Sequence, residues 1–428
     1  MNSKNHIEIL RLKGSILRYL LLVMITINLF AVDATLTIEK DVEQRTRIAL
    51  EEGSEVYHPS LFELFRSDLK VSGHFLTDAN AYTGSYEGGV VDPAQKAQEY
   101  VLKYRFDESR GAKLSVRLLK AGDGKEVFRK SYAIPRSSKM PFLVHKAVSD
   151  LNDLLKYPSI AWINRYVIYA KYTTPKHSEI VLADYTFSYK KTIIRGGLNL
   201  FPVWADSKQR SFYYTSYRGL VPTLYRLNIY TGQKQKIASS EGMMVCSDVS
   251  RNGKKILVTM APSGQPDIYE IDLGSGDKRR ITHFNGIDVG GRYIDDENRI
   301  VFVSNRLGYP NIFKKGIGRS AVSQVVYHGR NNNACDAFND KIIYASRESS
   351  SVFGHNTFNL YLTSTQSTQT RPLTTTGSNQ FPRFSANGAV VLFIKQHAEG
   401  SSVGYINLQS KQSLLFPIDG EKIQSIDW

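Results

Sequence analysis

The sequence IQSIDW, at Ile423–Trp428, is the last copy of a repeated strand pattern. Trp428 follows Phe384 by 44 residues, and Phe384 holds the same place in its own repeat. Earlier residues at this anchor position are Trp204, Val249, Tyr293 and Ala337. Periods of about 40 to 50 residues indicate stacked sheet modules, because each module buries its apolar faces against its neighbours. The pattern therefore predicts an all-β architecture of repeated sheets.

A second set of positions repeats with the same period. These positions are apolar pairs that precede a polar turn, and their second members are spaced 44, 44, 48 and 44 residues apart. The pairs are Leu224-Tyr225, Ile268-Tyr269, Ile312-Phe313, Leu360-Tyr361 and Gly404-Tyr405. Turn sequences such as Asn252-Gly253 and Asn387-Gly388 separate the strands and supply the positive φ of tight hairpins. Short strands with evenly spaced turns indicate antiparallel blades.

The two ends of the repeated region complement each other. The first repeat, at about residues 165–195, lacks an opening strand, whereas Ile423–Trp428 lacks following strands. We expect these two incomplete parts to complete one sheet. The predicted fold of residues 158–428 is therefore an all-β, six-bladed β-propeller closed by the C-terminal strand, which removes exposed sheet edges. An open solenoid and two separate sandwiches are the alternatives, and neither explains a terminal strand in phase with the repeat.

The repeat is absent from residues 35–157, which predict a separate N-terminal α/β domain of α+β class. Apolar residues on one helical face predict a helix over residues 60–71 and another over residues 141–155. Strands are predicted over residues 100–106, 113–119 and 126–132. The Tyr157-Pro158 step is the predicted link to the propeller, because the residue before a proline is biased away from helix.

Residues 1–34 have the composition of a secretory signal peptide. Basic residues precede an apolar run from Tyr19 to Val32 that is too short for a bilayer-spanning helix. Ala34 is the expected cleavage point, and Ala31 is the second candidate. An uncleaved membrane anchor is the alternative. We expect the rest of the chain to be a soluble, exported protein, because it contains no long apolar run.

The composition excludes several functional classes. The chain has 428 residues, of which 42% are hydrophobic and 22% charged, and this excludes a disordered protein. Its net charge of +15 is spread along the sequence, and we expect no nucleic-acid partner. The histidines and cysteines have no zinc-binding spacing, so we expect no metal and no other cofactor. Cys246 and Cys335 are expected to be free, buried thiols.

One motif has the form of a catalytic site. Gly400–Gly404 matches the G-x-S-x-G pattern, which needs its serine on a strand-to-helix turn and a histidine later in the chain. Here a hairpin tip is predicted, and no histidine follows His397. The motif therefore gives little support to a hydrolase.

Another repeated position lies five residues before the anchor position, where each innermost strand begins. The residues there are Asn199, Met244, Asp288, Asn331 or a neighbouring asparagine, and Asn379. We expect these mostly small, polar side chains to surround one opening of the channel and to bind a partner's segment through hydrogen bonds. The alternative is that they satisfy backbone groups at loop corners. In either case they provide no acid–base catalysis.

Several stretches match the motifs of one known family. Asn199–Trp204, Val249–Lys255 and Phe381–Gly388 look like its recurring P-x-W-S-P-D-G-x-K element. His145–Asp150 looks like its H-x-x-S-D helix, and Asp68–Phe75 looks like its D-L-x-x-S-G-x-F turn. Over nearly all of the chain after residue 34, the sequence resembles the TolB family of the Tol-Pal cell-envelope system.

The resemblance implies a non-enzymatic, periplasmic scaffold that docks the peptidoglycan-associated lipoprotein Pal at the propeller mouth. It also implies contact with the inner-membrane protein TolA through the mature N-terminus, at Thr35, Leu36, Thr37 and Ile38. The implied role is support of outer-membrane integrity and of constriction at cell division. We expect a monomer that meets membranes only through its partners. A carbohydrate- or peptidoglycan-binding propeller and a propeller enzyme are the alternatives.

Overall fold

A computed structural model describes residues 45–89, 92–348, 356–418 and 420–428. The expected signal peptide, with the cleavage candidates Ala31 and Ala34, lies outside the described residues, and so does the segment Thr35–Ile38. The chain forms two compact units. Unit 1 contains the described residues up to Pro135 together with Leu154–Tyr157, and unit 2 contains Arg136–Asp153 and Pro158–Trp428.

Unit 1 consists of a five-stranded sheet and one long helix. Its strands are β1 (Thr46–Glu52), β2 (Phe75–Thr83), β3 (Tyr100–Asp107), β4 (Ala112–Lys120) and β5 (Glu126–Ile134). The sheet order is β2-β1-β3-β4-β5, in which β1 is parallel to both of its neighbours and the other pairs are antiparallel. The predicted α/β character of this region is confirmed, although the sequence patterns miss β1 and β2.

The helix of unit 1 is α1 (Pro59–Ser72). Pro59 suits its first turn, because the missing N–H would have no helical partner there. The helix ends at Gly73, whose φ of 78° is left-handed and free of strain only for glycine. Phe65 and Leu69 share its buried face. This is the helix that the apolar periodicity predicts.

Helix α2 (Met140–Leu154) groups with unit 2, except for its last residue. The division predicted after residue 157 places this helix in the first domain instead. His145 of α2 is fully buried, and its Nε2 lies 3.1 Å from Oδ2 of the buried Asp184 in unit 2. The apolar stripe of α2 predicts a helix but not the sheet against which it packs. The domain boundary at residue 157 stays a prediction.

Apart from α2 and short helical turns, unit 2 consists of β-strands, as the sequence predicts. In chain order they are β6 (Val167–Thr174), β7 (His177–Ala183), β8 (Lys190–Ile194), β9 (Asn199–Trp204), β10 (Ser211–Ser216), β11 (Thr223–Asn228), β12 (Lys234–Ser239), β13 (Met244–Val249), β14 (Lys255–Met260), β15 (Asp267–Asp272), β16 (Lys278–Arg280), β17 (Asp288–Ile294), β18 (Arg299–Ser304), β19 (Asn311–Gly316), β20 (Val322–Gln324), β21 (Arg330–Phe338), β22 (Lys341–Arg347), β23 (Phe358–Ser364), β24 (Ser367–Pro372), β25 (Ser378–Phe384), β26 (Val390–Gln396), β27 (Ser401–Asn407), β28 (Ser413–Ile418) and β29 (Lys422–Asp427).

These strands form four antiparallel four-stranded sheets and one larger sheet. The four-stranded sheets consist of β29-β6-β7-β8, β9–β12, β13–β16 and β17–β20. The larger sheet joins β21–β24 to β25–β28 through the single residue pair Phe358 and Ser378. Tight turns connect neighbouring strands, as at Gly253, whose φ of 68° fits a hairpin.

One strand of each group of four lies beside its counterpart in the next group. We call β9, β13, β17, β21, β25 and β29 the inner strands; each contacts the next, and β29 contacts β9. Apolar side chains fill the space between neighbouring sheets. Ile168 and Leu182 of the first sheet pack with Trp204 and Phe212 of the second. Burial of such side chains is the main stabilising contribution to a sheet-on-sheet fold.

The last strand pairs with the first strand of unit 2. Strand β29 runs antiparallel to β6, from Lys422 opposite Tyr172 to Asp427 opposite Ile168. Ile426 of β29 is fully buried in this arrangement. The sequence predicts this partner for the last strand. The count of six blades and the closure of the ring stay predictions.

Replacing Ile426 by alanine should destabilise unit 2 by about 2–5 kcal/mol, because it removes a buried side chain from the strand that joins the two ends of the unit. The matched control is Lys422→Ala, which changes an exposed residue of the same strand by less than about 0.5 kcal/mol. Urea unfolding followed by tryptophan fluorescence measures both. Equal losses in the two variants would contradict a stabilising role for β29.

Candidate functional site

The predicted partner-binding residues lie where the inner strands begin. Asn199, Met244 and Asp288 are the first residues of β9, β13 and β17, and Asn379 is the second residue of β25. We call the loops at this end of unit 2 the strand-start rim. It comprises the described residues 175–176, 195–198, 217–222, 240–243, 261–266, 281–287, 305–310, 325–329, 348, 356–357, 373–377, 397–400 and 420–421.

The side chains at these strand starts are buried. Asn199 is 2% exposed, Asn379 is 1% exposed, and Met244 and Asp288 are 0% exposed. Nδ2 of Asn199 and Nδ2 of Asn379 each donate to the carbonyl oxygen three residues earlier, at 2.8 and 2.9 Å. These bonds match the alternative role, in which the asparagines satisfy backbone groups at loop corners. Partner binding by these residues stays a prediction.

Asp288 forms an internal ion pair. Nη2 of Arg306 donates to Oδ1 and Oδ2 of Asp288 at 3.1 and 3.0 Å. The same guanidinium lies 5.0 Å from the ring centre of Phe284 and 4.9 Å from that of Phe313. The carboxylate charge is therefore neutralised within the protein, and aromatic rings fix the cation in place.

The strand register distinguishes between the asparagines predicted for the fourth repeat. Asn332, the neighbour of Asn331, pairs with Ser346 near the end of β22. The register shifts between Arg330 and Asn332. Asn332 is fully buried, and its Nδ2 donates to the carbonyl oxygen of His328 at 2.8 Å. Asn332 is also the residue five positions before the anchor Ala337, so the repeat period agrees with the strand register here.

Large apolar side chains are exposed in the loops of the strand-start rim. Leu220 is 104% exposed and Tyr327 is 67% exposed, and Ile287 and Leu307 are both exposed as well. Exposed apolar side chains grouped on one face of a protein mark an interaction surface more often than scattered ones. The sequence analysis of polar strand starts does not predict these residues, because they lie in loops without a repeated pattern.

The opposite ends of the inner strands surround a cavity of about 810 Å³. We call it the strand-end cavity. Every inner strand contributes its last residue to the wall, and these residues are Trp204, Val249, Ile294, Phe338, Phe384 and Asp427. The cavity is therefore the second opening between the inner strands.

Five charged side chains line this cavity at equivalent strand positions, and we call them the charged ring. They are Asp248 on β13, Arg292 on β17, Asp336 on β21, Arg383 on β25 and Asp427 on β29, with Val203 of β9 at the sixth position. Arg292 lies 3.8 Å from Asp248 and 3.1 Å from Asp336. Arg383 lies 3.6 Å from Asp427. Acidic and basic residues thus alternate along the inner strands.

Each carboxylate of the charged ring also accepts a backbone hydrogen bond from the next inner strand. The backbone N–H of Tyr293 donates to Oδ2 of Asp248 at 2.8 Å. In the same way, the N–H of Phe384 donates to Oδ2 of Asp336 at 2.7 Å, and the N–H of Trp204 donates to Oδ2 of Asp427 at 2.8 Å. Hydrogen bonds to an ionised acceptor are stronger than those between neutral groups. The three acids therefore connect the inner strands in pairs.

A local irregularity precedes the charged position in each inner strand. The register of β17 shifts between Val289 and Arg292, and that of β25 shifts between Gln380 and Arg383. Phe381 in the latter stretch has a φ of 52°. A bulge changes the direction of the side chains that follow it. The bulges therefore contribute to placing the charged residues on the cavity wall.

Burial shifts the protonation of the charged ring. It raises the pKa of Asp248 to about 6, against the attraction of Arg292. It also raises the pKa of Asp427, which Arg383 opposes, and lowers the pKa of Arg383 itself. Asp248 therefore takes up a proton at mildly acidic pH.

The charged ring has a sequence signal outside the predicted strand-start positions. The residue before the anchor position is Asp or Arg in the last five repeats and valine in the first. The alternation of Asp and Arg indicates a ring of ion pairs only when the inner strands are known to lie side by side. The position before the anchor therefore carries the sequence signal for the charged ring.

The catalytic-looking motif does not form a nucleophile elbow. Nε2 of His397 lies 2.8 Å from Oγ of Ser402, but Ser402 lies within β27 and not on a strand-to-helix turn. In the described part of the chain, no carboxylate is hydrogen-bonded to the other ring nitrogen of His397. The pair thus lacks the third group that orients the base in a catalytic triad.

Three further observations concern metals, thiols and membranes. Within the described ranges, no group of His, Cys, Asp and Glu could hold a metal ion. Cys246 and Cys335 are free and buried, as predicted, and burial raises the pKa of Cys335 to about 12. Of the helices described, none is long and apolar enough to cross a membrane.

Comparisons with known proteins agree on one family. Residues 161–428 match the family model described as "TolB beta propeller domain". The Tol-Pal system protein TolB of Wolinella succinogenes is 45% identical over 94% of this chain and 97% of that protein. The TolB of Helicobacter pylori strain HPAG1 is 40% identical over 96% of this chain and 100% of that protein.

A solved structure shares the fold. TolB from Acinetobacter baumannii matches with a TM-score of 0.73 over 90% of this chain and 96% of that chain. The sequence identity is 20%, so this similarity shows the fold alone. The predicted β-propeller with an N-terminal α/β region is confirmed.

Replacing Asp248 by asparagine should reduce the dependence of stability on pH. A folded-state pKa of about 6, above the ordinary value of 3.8, means that the folded protein binds this proton more tightly than the unfolded chain. The parent therefore loses stability as pH rises through this interval, by about 1–3 kcal/mol. Urea unfolding of both proteins across that interval measures the difference. Equal pH dependence would exclude Asp248 as the titrating group.

Proposed function

This chain belongs to the TolB family of Tol-Pal system proteins, and from that premise we propose that it is a non-enzymatic scaffold of the cell envelope. In this proposal a Pal-like lipoprotein docks on the strand-start rim, and the segment Thr35–Ile38 contacts a TolA-like inner-membrane protein. The protein acts in the periplasm after removal of its signal peptide. Its role is to support outer-membrane integrity and constriction at cell division.

The proposed scaffold is a six-bladed propeller closed by β29. Three observations support this architecture: the grouping of strands in fours, the contacts from each inner strand to the next, and the pairing of β29 with β6. Closure matters for a docking role because it fixes the loops of the rim relative to one another. A partner then meets a preorganised surface and loses less conformational freedom on binding.

The exposed apolar side chains of the strand-start rim are the observation that carries the docking proposal. Leu220 and Tyr327 present large apolar surfaces in two different loops of the rim. Aromatic and other large side chains that become buried at the centre of an interface provide most of its binding energy. The buried Asn332 supports this surface indirectly, because its Nδ2 holds the carbonyl oxygen of His328, the residue after Tyr327.

The strand-end cavity is a weaker candidate for the same partner. Its charged ring is paired internally, and each carboxylate also holds a backbone N–H. A partner that used these charges would have to replace bonds that already stabilise the inner strands. Breaking a buried ion pair costs more free energy than an exposed contact at the edge of an interface provides.

The alternative functions have less support. A carbohydrate-binding propeller needs an aromatic platform, whereas Tyr327 is the one exposed tyrosine in the described loops of the rim. A propeller enzyme needs free convergent carboxylates or a metal in the channel, whereas Asp248, Asp336 and Asp427 hold backbone N–H groups and lie beside arginines. We therefore retain the docking function.

Replacing Leu220 and Tyr327 together by serine should weaken capture of the Pal-like lipoprotein at least about tenfold, because two exposed anchors of the rim are lost. The matched control is the serine variant of Leu415 and Tyr230, which are the same residue types, are also exposed, and lie outside the rim. Binding of each variant to the purified lipoprotein, immobilised on a sensor surface, gives the dissociation constants. Equal weakening by both pairs would exclude the rim as the docking surface.

Removing residues 35–38 from the mature chain should abolish binding to the TolA-like protein and leave binding to the Pal-like lipoprotein unchanged. The reason is that the proposal assigns the two partners to separate parts of the chain. Pull-downs with each purified partner measure both interactions. Retained TolA binding would contradict the role of this segment, while the rim proposal would be unaffected.

A further inference from the structure

Unit 2 contains a second pocket, which involves neither the inner strands nor the strand-start rim. Its volume is about 360 Å³, and it lies between the start of α2 and the turn that leads into β8. Its lining residues are Arg136, Ser138, Lys139, Ser188, Tyr189, Lys190 and Lys191. Four of these residues are cationic, three carry hydroxyl groups, and none is acidic. We call it the basic pocket.

Most of the positive charge in the basic pocket is not neutralised by the protein. Lys190 lies 3.4 Å from Glu421, and Nζ of Lys139 donates to the hydroxyl of Tyr166 at 2.7 Å. Arg136 and Lys191 are exposed and form no ion pair within the described residues. The pocket therefore offers two unpaired cations together with hydroxyl donors, which is the set of groups that binds a phosphate.

The positive charges of two lining residues favour negative charge inside the basic pocket. Burial raises the pKa of Tyr189, while the positive charges of Lys139 and Arg136 oppose this rise. Both cations therefore lie close enough to favour a negative charge at the tyrosine hydroxyl. A bound anion would experience the same attraction.

The basic pocket continues into a basic flank of unit 2. We define the flank as the outer strands β8, β12 and β16, which together contain seven basic residues and no acidic one. The outer strands β20, β24 and β28 contain one basic residue in total. Lys190 and Lys191 belong to both the pocket and the flank. Of the seven basic residues of the flank, Lys190, Arg279 and Arg280 pair with acidic residues, and the other four keep a positive charge that no ion pair of the described structure neutralises.

We propose that the basic pocket binds the phosphate group of an anionic lipid headgroup, and that the basic flank contacts the same lipid surface. A lipid surface presents many phosphates at once, which suits cations spread over three strands, whereas a free phosphate would use only the pocket. Tyr230, in the turn before β12, is 65% exposed, and tyrosine is enriched at the level of lipid headgroups. This inference does not depend on the proposed docking function, and it departs from the expectation that the protein meets membranes only through partners.

The test compares two double variants with equal loss of charge. The pocket variant is Arg136→Gln with Lys191→Gln, neither of which breaks an ion pair found in the described structure. The matched control is Arg371→Gln with Lys341→Gln, two exposed residues outside the pocket and the flank. Co-sedimentation with phosphatidylcholine vesicles, with and without phosphatidic acid, measures binding of the full mature chain at low and high salt.

We expect the parent to bind only the vesicles that contain phosphatidic acid, and to bind them less at high salt. The pocket variant should bind roughly thirtyfold more weakly, and the control variant should change less than about threefold. Equal weakening of both variants would show a dependence on net charge alone and overturn the pocket assignment. Absence of binding by the parent would overturn the proposal altogether.

Two competitors distinguish other sources of phosphate. Inorganic phosphate at millimolar concentration should leave vesicle binding largely intact, because it cannot occupy the flank as well. If it releases the parent completely, the pocket is a site for the free ion and the lipid assignment is wrong. Duplex DNA should bind more weakly than the vesicles; tighter binding to DNA, lost in the pocket variant, would assign the surface to nucleic acid.

Discussion

The antiparallel pairing of β29 with β6 is the contact on which the rest of unit 2 depends. It builds one sheet from strands at opposite ends of the unit and buries Ile426 between them. The same pairing positions Asp427, whose carboxylate holds the backbone N–H of Trp204 and lies beside Arg383. Strand β29 thereby contributes one member of the charged ring and one part of the wall of the strand-end cavity. Contacts between residues so distant in sequence carry a large entropic cost of loop closure, which burial and hydrogen bonding must offset.

The charged ring solves a local problem of the inner strands. A bulge interrupts the ladder of each inner strand and leaves backbone N–H groups without their regular partners. The carboxylates of Asp248 and Asp336 accept such N–H groups from the following strand, and Arg292 between them offsets their negative charge. Buried charges without partners are costly, and here each arginine lies beside a carboxylate, while Nε of Arg292 and Nε of Arg383 have no hydrogen-bond partner among the described residues. The ring therefore links the sheets at the place where their ladders are weakest.

Much of the fold could be predicted from the sequence, because a period close to 44 residues recurs and the anchor residues are apolar or aromatic. The same period also predicts the partner of Ile423–Trp428. It does not reveal the direction of a side chain after a bulge, and the alternation from Asp248 to Asp427 has no meaning before the strands are placed side by side. Helix α2 shows a third limit. Its apolar stripe identifies a helix, but the partner of His145 is Asp184, which no local pattern connects to it.

The pairing of β29 with β6 also ties the folding of unit 2 to the order in which the chain is made. Residues 422–427 are synthesised after every other strand of the unit, so β6 has an unpaired edge until they are available. An unpaired edge is a template for aggregation and a target for proteases. A truncated product would keep that edge permanently. The arrangement thus makes synthesis of residues 422–427 a condition for a protected β6, and a protease distinguishes chains with and without this strand by one edge.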